Sequence, residues 1–242
     1  MGKRSQKARG KGKARRRSAG GGASRATDAG ILESLPCVDE LENVPSFADM
    51  GPVQARRDQL ECARERVAAR LGEQAAASVE LGCVVRLDRG FPLVACEGRT
   101  LRAEHAPEFA KGESAEAGIM PTVGDWVAVA VPPEHDMGVI HEVLARRNVF
   151  ARWRGGRRGE FQTLAANLDG VIVVAALGAD ELPLARIARS VVLARDCGVR
   201  PSVVLTKADR KQTAEALAAD VERVHRLVGA QGDVVVTSSV LG

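Results

Sequence analysis

Three short apolar runs, separated by two stretches of helical periodicity, constrain this fold more than any other feature of the chain. Val171–Leu177 is continuously apolar, Val203–Leu205 is a second run entered through Pro201, and Val234–Val236 is a third. Between them, Leu184, Ile187, Ala188, Val191 and Ala194 line one face of a segment near 182–197. Ala214, Leu217, Val221, Val224 and Val228 do the same near 211–228. Runs that are apolar on both faces are expected in a parallel sheet, and the periodic segments are the crossovers that join its strands. The spacing therefore predicts a βαβαβ sheet flanked by helices, whose ligand lies beyond the carboxyl ends of the strands.

Upstream the periodicity differs. Five short strands are expected over Gly82–Leu87, Phe91–Cys96, Arg99–Ala103, Gly124–Val131 and Gly138–Leu144. Gly90, Gly98, the 104–122 insert and Pro132-Pro133 supply the breaks. Five strands in so short a span suit an OB-type barrel, a common nucleic-acid binder, although many such barrels are only spacers. Aromatic residues in or near the barrel are few (Phe91, Phe109, Trp126 and Phe150), so contact with a nucleic-acid backbone is favoured over base stacking. A helix from Gln54 to Leu71 precedes the barrel, with Leu60, Ala63, Val67, Ala68 and Leu71 on one face and Gly72 as its stop. Its other face, which could touch RNA but is read first as a solvated face, carries Arg56, Arg57, Arg64 and Arg70.

The first 27 residues hold ten Lys or Arg and no acid, which leaves 25 bases against 31 acids in the remainder, a net of −6. Lys3, Arg4, Lys7, Arg9, Lys11, Lys13, Arg15, Arg16 and Arg17 stand among Gly, Ala and Ser with nothing to bury, so a disordered arm is expected. Such an arm binds phosphate backbones through counterion release; a solubilising tail or a targeting signal has the same composition. The domain plan is thus a basic arm and acidic linker over 1–53, a helix and connector over 54–78, a barrel over 79–150 and an incomplete α/β parallel-sheet domain over 151–242. With 45% hydrophobic residues the chain as a whole is not disordered, and no apolar run approaches the 18 residues of a membrane span. Five cysteines without a CxxC pair point to a reduced, cytosolic protein with no structural zinc site. The four histidines have no ligand spacing, so no metal site is expected in this chain.

Chemistry concentrates at the strand ends. Thr206-Lys207-Ala208-Asp209 follows the second run and Thr237-Ser238-Ser239 the third. Outside the arm the chain uses 22 Arg and only three Lys, at 111, 207 and 211, so a lysine here suggests a compact charge on an apolar stem. A carboxylate at Asp209 can accept from guanine N1–H and the 2-amino group together, a pairing adenine cannot offer. The stem of Lys207 can cover one face of the base, Ala208 lets the loop approach it, and the Ser238-Ser239 turn can donate a backbone N–H to O6. An ordinary αβ loop with surface Lys and Asp is the other reading of the same residues.

These segments, taken in order, resemble the circularly permuted, ribosome small-subunit-dependent GTPases. The likeness rests on Val123-Gly124-Asp125-Trp126-Val127, Arg146-Arg147-Asn148-Val149-Phe150-Ala151-Arg152, Gln162-Thr163-Leu164-Ala165-Ala166-Asn167-Leu168-Asp169, Thr206–Asp209 and Ser238–Gly242, and runs from about residue 79 to the end. The resemblance implies an OB domain, a permuted GTPase domain and a zinc-bearing domain. It also implies GTP hydrolysis on the immature small subunit and its rRNA late in assembly. It assigns Thr206, Lys207, Ala208 and Asp209 to guanine specificity and Ser238 and Ser239 to the second base-contacting loop. Thr206 stands where the family usually has Asn. No GxxxxGK[ST] occurs in the 242 residues. In the permuted order the P-loop, the switches, Mg²⁺ and the Zn²⁺ ligands are expected beyond Gly242, so no catalytic residue is named and the chain alone is expected to be inactive. Three strands without the rest of their sheet are expected to be poorly stable. A cytoplasmic monomer with GTP or GDP, rRNA and no membrane as partners is the reading that results. The alternative is a non-hydrolysing RNA-binding protein with a vestigial nucleotide domain.

Overall fold

The computed structural model describes residues 36–51, 53–89, 91–107, 120–132, 137–154, 160–178 and 181–240. The basic arm from Lys3 to Arg25, Phe109, Lys111 and His135 lie outside the described residues. The chain divides into Met1–Pro36 and Cys37–Gly242, and all the elements below belong to the second unit.

The first of these elements is α1 (Gln54–Leu71), followed by the short α2 (Glu73–Ala77). Gly72 separates them at φ 92°, its amide closing α1 on the Ala68 carbonyl. Five strands then close into a barrel: β1 (Glu80–Asp88), β2 (Phe91–Cys96), β3 (Arg99–His105), β4 (Trp126–Ala130) and β5 (Gly138–Val143). Their order is β1-β2-β3-β5-β4, with β3 and β5 parallel and the other pairs antiparallel. The alternation of β4 separates two cores. Val127 and Val129 point inward to Val84, Val94, Ala103 and Ile140, whereas Trp126, Ala128 and Ala130 point outward to Leu60, Ala63 and Val67 of α1. Trp126 is therefore a packing residue, edge-on to Phe47 at 5.8 Å, and not a stacking platform. Phe47, Met50 and Val53, in the stretch read as linker, pack on this outer core.

The α1 arginines differ from the solvated face expected of them. Arg64 donates to the Val79 carbonyl from Nε (3.0 Å) and Nη2 (2.7 Å), and Arg56 donates to the Ala145 carbonyl (2.6 Å). These carbonyls at the barrel rim lie outside the strand ladders, and a guanidinium is long enough to reach them.

Two antiparallel strands not foreseen from periodicity follow the barrel: β6 (Val149–Arg154) and β7 (Glu160–Ala166). Next come β8 (Gly170–Ala176), α3 (Leu184–Asp196), β9 (Arg200–Thr206), α4 (Ala214–Val228) and β10 (Asp233–Val236). The three strands are parallel in the order β10-β9-β8. Both crossovers step the same way across the sheet, and right-handed connections then place both helices on one face. Ile187, Val191, Val224 and Val228 cover Val173, Ala175, Val203 and Leu205. The opposite face is open, with Ile172 69% and Val174 62% exposed, so among the described residues the helices flank one face of the sheet.

Burial, with the Asp125 carboxylate adding to it, pushes the Cys83 thiol up to about 12. Burial does the same for Cys96, also to about 12, with Glu80 adding. Thiolate is the reacting form. A thiol reagent at mildly alkaline pH is therefore expected to label exposed Cys37 and Cys62 and to reach Cys83 and Cys96 only in denaturant. Mass spectrometry of the labelled sites checks this, and early labelling of either barrel cysteine would contradict the packing.

Candidate functional site

The two strand-end segments meet. Thr206 is the last residue of β9, and its carbonyl accepts from the Leu177 amide at 2.8 Å. Lys207 then adopts the left-handed region (φ 61°, ψ 43°), which redirects the chain into a single 3-10 turn over Ala208–Arg210. Thr237 follows β10, its amide donating to the Leu205 carbonyl at 2.8 Å. The Ala208 amide donates to the Thr237 carbonyl (3.1 Å), and Ser238 Oγ donates to Asp209 Oδ1 (2.5 Å). Those two bonds tie the loops together. Lys207, Asp209 and Ser239 are exposed, with Ala208 and Ser238 half-buried between them.

A left-handed residue with a Cβ costs about 1–2 kcal/mol, and such strain persists where the surroundings over-determine it. Lys207→Gly should leave stability unchanged or raise it by about 1 kcal/mol while removing the stem that the base reading requires. Thermal unfolding and nucleotide titration of the same variant separate the two effects. A clear loss of stability would show that the conformation is not strained.

A second constellation joins barrel to sheet. Asp125, wholly buried, accepts from Arg146 through Nε (2.8 Å) and Nη2 (2.6 Å) and from the Thr122 amide (2.8 Å). Asn167, at φ 57°, donates from Nδ2 to the Gly124 carbonyl (2.8 Å). Its Oδ1 accepts from the Arg147 amide (2.8 Å) and from Arg56 Nη2 (3.0 Å). Asn148 and Leu168 bond reciprocally, Nδ2 to carbonyl and amide to Oδ1, both at 2.8 Å. Burial first, then the nearby Arg147 charge, lowers the pKa of Arg56. Gly124 is required here: its φ is +87°, and a Cβ would lie 2.1 Å from the Ala166 carbonyl oxygen. Gly124→Ala is expected to cost about 3 kcal/mol through strain and a backbone clash, measured as a fall in Tm, and a change under a third of that would sink the assignment.

Comparison with known proteins bears on part of these segments. The family model described as RsgA GTPase matches residues 143–240, a span that includes the β6–β7 hairpin, the parallel sheet and both strand-end loops. Similar curated proteins carry the name small ribosomal subunit biogenesis GTPase RsgA. One from Opitutus terrae is 36% identical over 165 residues, covering 62% of this chain and 42% of that protein. One from Streptomyces avermitilis is 40% identical over 143 residues, covering 59% and 37%. Over residues 143–240 the chain is similar to the RsgA GTPase family. It spans about two fifths of the length of these relatives. Among solved structures, YjeQ from Thermotoga maritima aligns with TM-score 0.49 and 23% identity over 67% of this chain and 53% of that one. YloQ, described as a circularly permuted GTPase, aligns with TM-score 0.47 and 23% identity over 66% and 52%.

The segments that carry the resemblance do two different jobs. Thr206–Asp209 and Ser238 build the exposed strand-end site. Asp125 pairs with Arg146, and Asn167 bonds Arg147 and Asn148, at the joint, a role that sequence reading did not assign. The signal available for it was the cluster of polar residues beside an apolar strand start, which is ambiguous without coordinates. Among the described residues no group of three or more His, Cys, Asp or Glu side chains is placed to hold a metal ion.

Proposed function

We propose that this chain is the RNA-gripping and guanine-reading part of a GTPase that acts in biogenesis of the small ribosomal subunit. The observation that carries the reading is the junction of the Asp209 turn with the Ser238 loop at the carboxyl ends of adjacent parallel strands, where such sheets bind ligands. Asp209 accepts guanine N1–H and the 2-amino group, the Lys207 stem covers the base, Ala208 allows close approach, and the Ser238-Ser239 backbone serves O6. GTP supplies the γ-phosphoryl group for hydrolysis. No residue of this chain is assigned to Mg²⁺, Zn²⁺ or catalysis, since the phosphate-cradling GxxxxGK[ST] does not occur in it. The relatives' printed name supports the small subunit as the partner. The arm, Lys3 through Arg17, and the barrel over 79–150 take the rRNA contacts, and residues 151–242 the base. A cytoplasmic monomer fits this reading, and no helix among the described residues is long and apolar enough to cross a membrane.

Calorimetry with GDP, GTP and ATP on this chain tests the proposal. Binding of both guanine nucleotides and none of ATP is expected, weak because the base alone is held. Equal binding of ATP, or none of any nucleotide, would overturn the base reading and leave RNA as the ligand. Deleting residues 1–27 is expected to flatten the salt dependence of RNA binding, since ten bases leave with the arm. An unchanged slope would return the arm to a solubilising role.

A further inference from the structure

Lys211 and Asp220 form an ion pair that the base-reading residues do not include. Lys211 Nζ lies 2.7 Å from Asp220 Oδ2, with side chains only 13% and 7% exposed. Asp220 stands on the buried stripe of α4, one turn before Val224 and two before Val228. A carboxylate on such a stripe is costly unless compensated. Oδ1 faces Arg223 at 3.6 Å, while Oδ2 has no directed hydrogen bond among the described residues, so the compensation there is the ammonium of Lys211. Lys211 also closes the 3-10 turn of the site, its amide donating to the Ala208 carbonyl at 3.1 Å. One residue thus seals the turn that carries Asp209 with its backbone and fastens that turn to the helix with its side chain. The Thr237 and Ser238 bonds hold the turn from the β10 side, and Lys211 holds it from the α4 side. A strained Lys207 between them needs both anchors to keep its conformation.

We propose that Lys211 and Asp220 are the positioning pair of the guanine-reading turn. The pair presents Asp209 to the base without touching it, and this assignment rests on the guanine reading above. A lysine fits this place in a chain that outside the arm uses 22 Arg and only three Lys, because an ammonium on a slim stem is more compact than a planar guanidinium.

Lys211→Met and the double variant Lys211→Met/Asp220→Leu test it, each read by amide hydrogen exchange, thermal unfolding and GDP titration of the whole chain. In the single variant the Ala208 amide should exchange about tenfold faster while the Val203 and Leu205 amides of β9 do not change. GDP should bind about tenfold more weakly, in step with the Ala208 opening. In the double variant the buried carboxylate is gone, so Tm recovers, whereas Ala208 stays unprotected and GDP stays weak. Recovery of Tm, Ala208 protection and GDP affinity together would show that the pair only packs the helix, and unaltered Ala208 exchange in the single variant would also overturn the proposal. Should the unmutated chain bind no GDP, the base reading fails by itself, and the exchange rates still decide whether the pair holds the turn.

Discussion

Asp209→Asn should exchange guanine for xanthine. In the proposed reading the carboxylate accepts two N–H groups from guanine, and an amide in its place turns one acceptor into a donor that meets the 2-amino group head-on. Xanthine carries a carbonyl at that position, so an amide pairs with it while still accepting from N1–H. An amide oxygen still accepts from Ser238 Oγ as Asp209 Oδ1 does, so the tie between the loops survives the substitution. The ratio of guanine to xanthine nucleotide affinity should fall by about 10³-fold, short of the roughly 10⁴-fold of an enclosed polar site because Asp209 is exposed. Paired titrations of GDP and xanthosine diphosphate measure it. A variant that loses both nucleotides equally would place Asp209 in the loop's architecture and not against the base.

Arg146→Met should be the most damaging single change to stability. It strands Asp125, which has no exposed side-chain surface, with the Thr122 amide as its one remaining bond of the three described. Removing one partner of a buried bidentate pair costs about 3–5 kcal/mol, because the other charge is left uncompensated. Against a domain stability of about 5–15 kcal/mol, that loss puts the melting transition near working temperature. The double variant Arg146→Met/Asp125→Leu should recover most of it, since no charge then remains buried. Thermal or urea unfolding of the single and double variants is the measurement. A single-variant loss below about 1 kcal/mol, the scale of an exposed pair, would mean that Asp125 is hydrated in solution.

Much of the architecture is legible in the residues. β2 occupies Phe91–Cys96 as read, and the other barrel strands differ from their expected bounds by two residues or fewer at each end. The β6–β7 hairpin was not legible. Arg152 interrupts the apolar pattern of β6, and its place across from Gln162 appears only once the strands pair. Six residues singled out for the base site do come together at the strand ends, because two β-strands of a parallel sheet necessarily deliver their exit loops to the same edge. Lys211 was counted as an unusual lysine, yet its partner Asp220 reads in sequence as one polar residue in an amphipathic helix.

Local chemistry alone determined the barrel strands, the parallel βαβαβ order and the polar strand-end segments, since periodicity and turn residues act over a few positions and need no partner. Tertiary structure alone decided which face of the sheet the helices cover, that Asp125 and Arg146 share a buried bond, that Asn167 bridges three segments, and that Lys211 reaches Asp220. Crossover handedness and the compensation of buried charge are properties of chain segments brought together from far apart, and no run of neighbouring residues records them.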